Sequence, residues 1–307
     1  MNILGPDYLV FGVDDFQSCR QFLLDYGLTE TQNGYYQALD GTGVLLRERD
    51  DPQLPPALAS GSQLRETVYG VADDATLNAI VEELHKDREV HIDDEGVVHS
   101  HDDMGFALGF RVTQRTPVTL AAEKVNAPGD DEMRPVNHTG ASATMPAAPR
   151  SLSHVVYFVP DVAQAEAFYR RLGFICTDRF THVGPFLRPG GTLDHHTLFL
   201  IQAPPFMTGI EHFTFHMGGP TELMMAGSRF VEKGYQSFWG PGRHQLGSNW
   251  FWYFNSPLGC HIEYDADMDR HDDSWQPREA LPGADNSQYF LLNWREKWAP
   301  GPDNARA

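Results

Sequence analysis

The chain has 307 residues, 41% of them hydrophobic, and its 23 Lys and Arg against 42 Asp and Glu give a formal charge of −19. That length fills one large or two ordinary cores, and the acidic balance repels phosphate backbones and anionic bilayers, so neither nucleic acid nor a membrane surface is expected as a partner. No apolar run reaches the ~18 residues of a spanning helix, and the start, MNILGPDYLV, has neither the basic nor the apolar region of a secretory signal, so a cytoplasmic address is expected.

Residues 6–28, PDYLVFGVDDFQSCRQFLLDYGL, read as an apolar strand, an Asp-led helix start and an amphipathic helix stopped by Gly27. YYQALDGTGVLLRER continues as strand, and RETVYGVADDATLNAIVEELHKDR repeats strand, polar turn and helix with a basic end. AEKVNAPGDDEMRPVNHTGASATMPAAPR has no apolar period and reads as linker. Beyond it, residues 150–174, RSLSHVVYFVPDVAQAEAFYRRLGF, align with the first unit without a gap at an offset of 146. Val10 matches Val156, Val13 matches Val159, Asp15 matches Asp161, Phe22 matches Phe168 and Gly27 matches Gly173. These positions do separate work in strand, cap, helix face and stop, which marks an internal repeat.

HHTLFLIQA adds a strand and IEHFTFHMGGPTELMMAGSRFVEKG a fourth strand–helix unit. The chain therefore reads as α+β, four βα-type modules paired into two domains over 1–123 and 150–265, with a linker at 124–149 and a tail at 266–307 expected over the surface of the second domain. Cys19, Cys176 and Cys260 form no CxxC pair, so they are expected as small core fillers rather than a disulfide framework or thiolate site.

Alternation along strands groups the ionisable side chains. His261 and Glu263 share one face of CHIEY, His212, Thr214 and His216 one face of IEHFTFHM, and His154 lies with Val156 and Phe158. His154, His212 and Glu263 thus come from three segments of the second domain, and two imidazoles with one carboxylate form the facial set that leaves the far side of a metal open. The first domain carries Tyr8, Thr67 and Gly109 at the positions aligned with them, so the shared fold is expected to do without these ligands.

The motifs SHVVYFVPDVAQAEAFYRRLGF, DHHTLFL, IEHFTFH, GRHQLGSNWFWYFNSPLG and HIEY resemble those of the type I extradiol ring-cleavage dioxygenases of the vicinal oxygen chelate superfamily. The resemblance is strong over 150–265 and weak before it. It implies two tandem vicinal-oxygen-chelate domains, each a pair of βαβββ modules in a curved, partly open barrel, with a metal only in the second. It further implies a catecholic substrate cleaved with O2 at Fe(II), Mn(II) being the other candidate, in a homo-oligomer that degrades aromatic compounds. Carried over by position, the metal ligands are His154, His212 and Glu263, the acid–base group is His196, and Tyr253 and His244 are further pocket residues. Leu246 departs from the resemblance, standing where a polar Asn is common, and this bears on the substrate.

Aromatics Phe186, Trp250, Phe251 and Trp252 are candidates for a pocket wall, with core packing the plainer expectation for each. His195, His216 and His261 are expected as ordinary packed histidines, and His99, His101 and His182 receive no role. Two other classes in the same superfamily remain as alternatives. One is a metal-dependent isomerase or lyase, against which stand the clustering of ligands in one domain and the company of His196, His244 and Tyr253. The other is a metal-free binding protein, which would fill the ligand positions with apolar residues.

Overall fold

The computed structural model describes residues 1–129 and 133–292; linker residues 130–132 and the end of the tail, 293–307, lie outside the described residues. The first sheet contains β1 (Ile3–Val13), β2 (Thr29–Glu30), β3 (Tyr35–Gln37), β4 (Gly43–Glu48), β5 (Leu64–Val71), β6 (His91–Ile92), β7 (Val98–His101) and β8 (Ala107–Val112). Helices α1 (Phe16–Tyr26) and α2 (Asp74–Leu84) follow β1 and β5. The second sheet contains β9 (Ser151–Val159), β10 (Ile175–Phe180), β11 (Gly184–Arg188), β12 (Leu198–Gln202), β13 (Gly209–His216), β14 (Ser237–His244), β15 (Trp250–Asn255), β16 (His261–Ala266), β17 (Arg278–Ala280) and β18 (Gln288–Leu291), with α3 (Val162–Arg171) after β9 and α4 (Pro220–Glu232) after β13.

Strand order is β2-β3-β4-β1-β5-β8-β7-β6 in the first sheet and β17-β10-β11-β12-β9-β13-β16-β15-β14-β18 in the second. Each sheet is two βαβββ modules placed back to back. The opening strands of the modules pair antiparallel at the centre, β1 with β5 and β9 with β13. The closing strand of each module returns parallel beside its opening strand. Neither sheet closes on itself among the described residues, and no described helix is long and apolar enough to cross a membrane.

The repeated signals build equivalent corners. Asp15 accepts from Ser18 N and Asp161 from Gln164 N, each at 3.0 Å, capping α1 and α3 with a stabilisation of ~1 kcal/mol apiece. Gly27 and Gly173 end those helices at φ +112° and +88°, where a side chain would be strained. Ala165, Phe168 and Tyr169 of α3 and Phe22 and Leu23 of α1 face the core. Cys19 and Cys260 are buried, Cys176 is half-buried, and all are free.

One apolar core spans both sheets. Tyr26 stacks on Tyr264 with ring centroids 4.0 Å apart, its hydroxyl donates to the Glu263 carbonyl at 2.5 Å, and Tyr264 returns a bond to the Tyr26 carbonyl at 2.6 Å. The end of α1 thereby buttresses β16, the strand that carries Glu263.

The ladders revise one correspondence of the repeat. Val156 pairs with His212 where Val10 pairs with Glu66, so Glu66, not Thr67, occupies the place of His212. A slip of one residue exchanges the two faces of a strand, and an alignment by apolar pattern is blind to it here because Thr67 and Glu66 are both buried. Tyr8 and Gly109 do hold the other two places, pairing through Val68 as His154 and Glu263 pair through Thr214. The first sheet thus keeps one carboxylate of ligand type, and it is engaged by His99 at 2.6 Å.

The described part of the tail packs on the second sheet. Its strands extend both edges of the second sheet, β17 alongside β10 and β18 alongside β14.

Candidate metal centre

β9, β13 and β16 are neighbours in the sheet, and they bring His154, His212 and Glu263 together as a buried group. The His154 and His212 Nε2 atoms are 3.4 Å apart, and Glu263 Oε2 lies 3.3 Å from the first and 3.5 Å from the second. One ion reaches all three corners of such a triangle with bonds of ~2.0–2.2 Å.

Proton bookkeeping supports a cation at that point. Ser153 Oγ donates to Asp265 Oδ2 at 3.1 Å and so accepts the His154 Nδ1 proton at 2.9 Å. His212 Nδ1 donates to the Glu211 carboxylate. Both rings therefore turn a bare Nε2 inward. Thr214 Oγ1 gives its one proton to Glu263 Oε2 at 2.5 Å while standing 3.0 Å from His154 Nε2. Glu263 Oε1 is buried without a hydrogen-bond partner. Lone pairs converge without a shared proton, an arrangement that a positive ion satisfies and water-free burial otherwise penalises.

A ring of carboxylates supports the histidines. Glu211 takes protons from His212 and from His261 Nδ1 at 2.8 Å; burial raises its pKa, but the two imidazoles hold it down at about 2. Asp265 takes the Ser153 proton and that of His216 Nδ1 at 2.6 Å. Burial works against a charged His212, yet Glu211 raises its pKa. His154 is pushed the other way, below the usual imidazole range, by burial that outweighs Glu263.

Beside the three ligand atoms opens a cavity of 270 Å³ whose lining includes His196, His244, Tyr253, Phe186, Phe199 and Leu246. Phe186 stacks on Phe199 at 4.0 Å, and both pack with Val156 and Leu246 into one apolar wall. Tyr253 OH lies 3.1 Å from His244 Nε2. Burial, then the neighbouring histidines, hold His196 well below its ordinary pKa and therefore neutral.

The structure brings every expected site residue to this cavity or its floor. Of the four aromatics named as wall candidates only Phe186 lines it, beside Phe180, Phe199, Phe238, Trp239 and Tyr253. Trp252 instead packs in the core, donating to Ser237 Oγ at 2.9 Å. His195, His216 and His261 each join the network behind the site: His195 Nδ1 meets His196 Nδ1 at 2.9 Å, His261 shares the Glu211 carboxylate with His212, and His216 shares Asp265 with Ser153, the partner of His154. Thr214 was grouped with His212 by strand alternation but given no role, and Asp265 and Glu211 were not singled out from the sequence. The signal for Thr214 and Asp265 was present, because they lie two residues from His212 and Glu263 on the same strand faces.

The two sheets share one architecture, and among the described residues the second carries a buried His–His–Glu cluster. Residues 151–264 match the Glyoxalase/Bleomycin resistance protein/Dioxygenase superfamily. A 122-residue stretch is 39% identical to metapyrocatechase 2 of Cupriavidus necator, covering 39% of this chain and only 38% of that relative. The whole fold is similar to 2,2',3-trihydroxybiphenyl 1,2-dioxygenase from Sphingomonas wittichii strain RW1, with a TM-score of 0.70, 19% identity and coverage of 95% of this chain and 100% of that one. It is also similar to a Mn(II)-bound glyoxalase from Novosphingobium aromaticivorans, with a TM-score of 0.69, 21% identity and coverage of 94% and 90%.

Proposed function

We propose that the protein is an extradiol dioxygenase that opens a catecholic ring with O2 at a mononuclear Fe(II) held by His154, His212 and Glu263, with Mn(II) as the other candidate metal. The observation that supports this most is the meeting of three proton-less ligand atoms on the floor of an aromatic cavity that also holds His196, His244 and Tyr253. Fe(II) bound there supplies the one-electron chemistry that triplet O2 requires and that side chains lack.

The chain's own residues do the rest. Phe186 and Phe199 wall the substrate ring with apolar surface and exclude water. A cavity of ~150 Å³ holds benzene, so the 270 Å³ here accommodates a single ring with a substituent. Leu246 makes that substituent's surroundings apolar. His196, neutral and buried, accepts the proton of a catechol hydroxyl and returns it later. Tyr253, backed by His244, hydrogen-bonds the substrate oxygen that has lost its proton. A homo-oligomer acting in aromatic-compound breakdown belongs to the same reading.

The test is anaerobic reconstitution with Fe(II), then addition of a panel of catechols and air. A yellow ring-opened product with equimolar O2 uptake is expected. Product formed without O2 uptake would replace this reading with a metal-dependent isomerase or lyase.

A further inference from the structure

The C-terminal tail reaches His196 through a chain of buried groups. Arg278, on β17, grips the Asp178 carboxylate with Nη2 at 2.6 Å, Nε at 3.1 Å and its backbone N–H at 2.8 Å. Asp178 Oδ2 lies 2.8 Å from His195 Nε2, and His195 Nδ1 lies 2.9 Å from His196 Nδ1. Asp178 and His195 are fully buried, so water does not compete for these bonds. Trp275 anchors the same stretch by donating from Nε1 to the Thr177 carbonyl at 2.8 Å, with His271 stacked on it at 3.8 Å.

With one proton on each imidazole, the protons of this chain have one consistent placement. An ionised carboxylate only accepts, so His195 carries its proton on Nε2 and presents a bare Nδ1 to His196. His196 then donates from Nδ1. Its Nε2, which has no hydrogen-bond partner among the described residues, keeps a free lone pair. Farther along the tail the Ser287 carbonyl lies 3.1 Å from His244 Nδ1, which leaves His244 Nε2 to accept from Tyr253 at 3.1 Å.

We propose that the tail is a positioning element of the site: Arg278, Asp178 and His195 fix His196 in the tautomer with a bare Nε2, and the Ser287 carbonyl fixes His244 in the same tautomer. The use made of the His196 lone pair rests on the ring-cleavage reading; its existence does not. None of the relay residues touches the cavity floor, so they act through His196 rather than on the substrate.

Histidine-selective 15N NMR of the Zn(II)-loaded protein reads the tautomers, with His196→Gln assigning the resonance. The wild type is expected to carry the His196 proton on Nδ1. Asp178→Asn puts a donor where the relay needs an acceptor, because its amide oxygen stays on Arg278 and its NH2 turns to His195. The relay then reverses and His196 is protonated on Nε2, while His244 is unchanged. In turnover with Fe(II), kcat of Asp178→Asn falls by ~10²–10⁴ with KM and metal content retained. A wild-type His196 protonated on Nε2 overturns the proposal without any variant, and so does an Asp178→Asn protein whose His196 proton stays on Nδ1. If the wild type cleaves no catechol, the ring-cleavage reading fails, and the NMR result still decides the relay.

Discussion

Thr214 Oγ1 donates to Glu263 Oε2 at 2.5 Å from directly across the parallel β13–β16 ladder. This one hydroxyl orients the carboxylate that completes the metal cluster, and it is itself fully buried. Thr214→Val keeps the shape and removes the donor. Orienting partners of this kind are worth ~10–100-fold in metal affinity, so a competition titration against a chelator should show a loss in that range, with Thr214→Ser close to wild type. An unchanged affinity in Thr214→Val would mean that Glu263 is held by its backbone alone.

Glu263 Oε1 is an orphaned acceptor at a fully buried position. Occupation of the site should therefore stabilise the fold by mass action, ~2.7 kcal/mol at a free metal concentration 100 times Kd. Thermal melts with and without Fe(II) or Mn(II) should separate by several degrees in the wild type. Glu263→Ala should melt at the same temperature with or without metal. A metal-dependent shift that survives in Glu263→Ala would place the ion elsewhere.

How much of this was legible from sequence depends on periodicity. The period of two grouped His212, Thr214 and His216 on β13 and His261 with Glu263 on β16, and the ladder, pairing His212 with His261 and Thr214 with Glu263, sets both groups on one face of the sheet. The helix corners were legible because Asp15, Gly27, Asp161 and Gly173 are local signals, satisfied within a turn of the chain. What sequence could not provide was register. Assigning Thr67 rather than Glu66 to the place of His212 is a slip of one, and only the pairing of Val10 fixes it. Nor does any local pattern tell that Arg278 meets Asp178 across 100 residues. That contact depends on β17 adding to the edge of the sheet, a non-local event with weak sequence signal in a short strand.

Tyr253 and His244 form a pair whose hydroxyl proton points to His244 Nε2 at 3.1 Å until a substrate oxygen competes for it. Burial, and then the nearby Glu263, raise the Tyr253 pKa well above its ordinary value, so the phenol stays a donor throughout the working range. Tyr253→Phe removes the donor without opening a void. Its kcat should fall ~10²–10³-fold, the usual loss for a preorganised donor, while metal content by elemental analysis is unchanged. Loss of the metal along with activity would assign Tyr253 to holding the cluster instead.

In the first sheet His99 lies between two carboxylates, Nδ1 at 2.6 Å from Glu66 and Nε2 at 3.1 Å from Asp93. Donating from both nitrogens requires the imidazolium. The Glu66 hydrogen bond, against the opposing effect of burial, raises the His99 pKa to about 9. A raised folded-state pKa stabilises the protein fully below the unfolded value of ~6.5 and loses that contribution as pH climbs through 9. The shift corresponds to about 3 kcal/mol at most, reduced in practice because the side chain is 28% exposed. Urea unfolding of wild type and His99→Gln should therefore give midpoints well apart at low pH that converge between pH 6.5 and 9. A gap that stays constant across that window would show that His99 is neutral in the folded protein and that the triad contributes by packing alone.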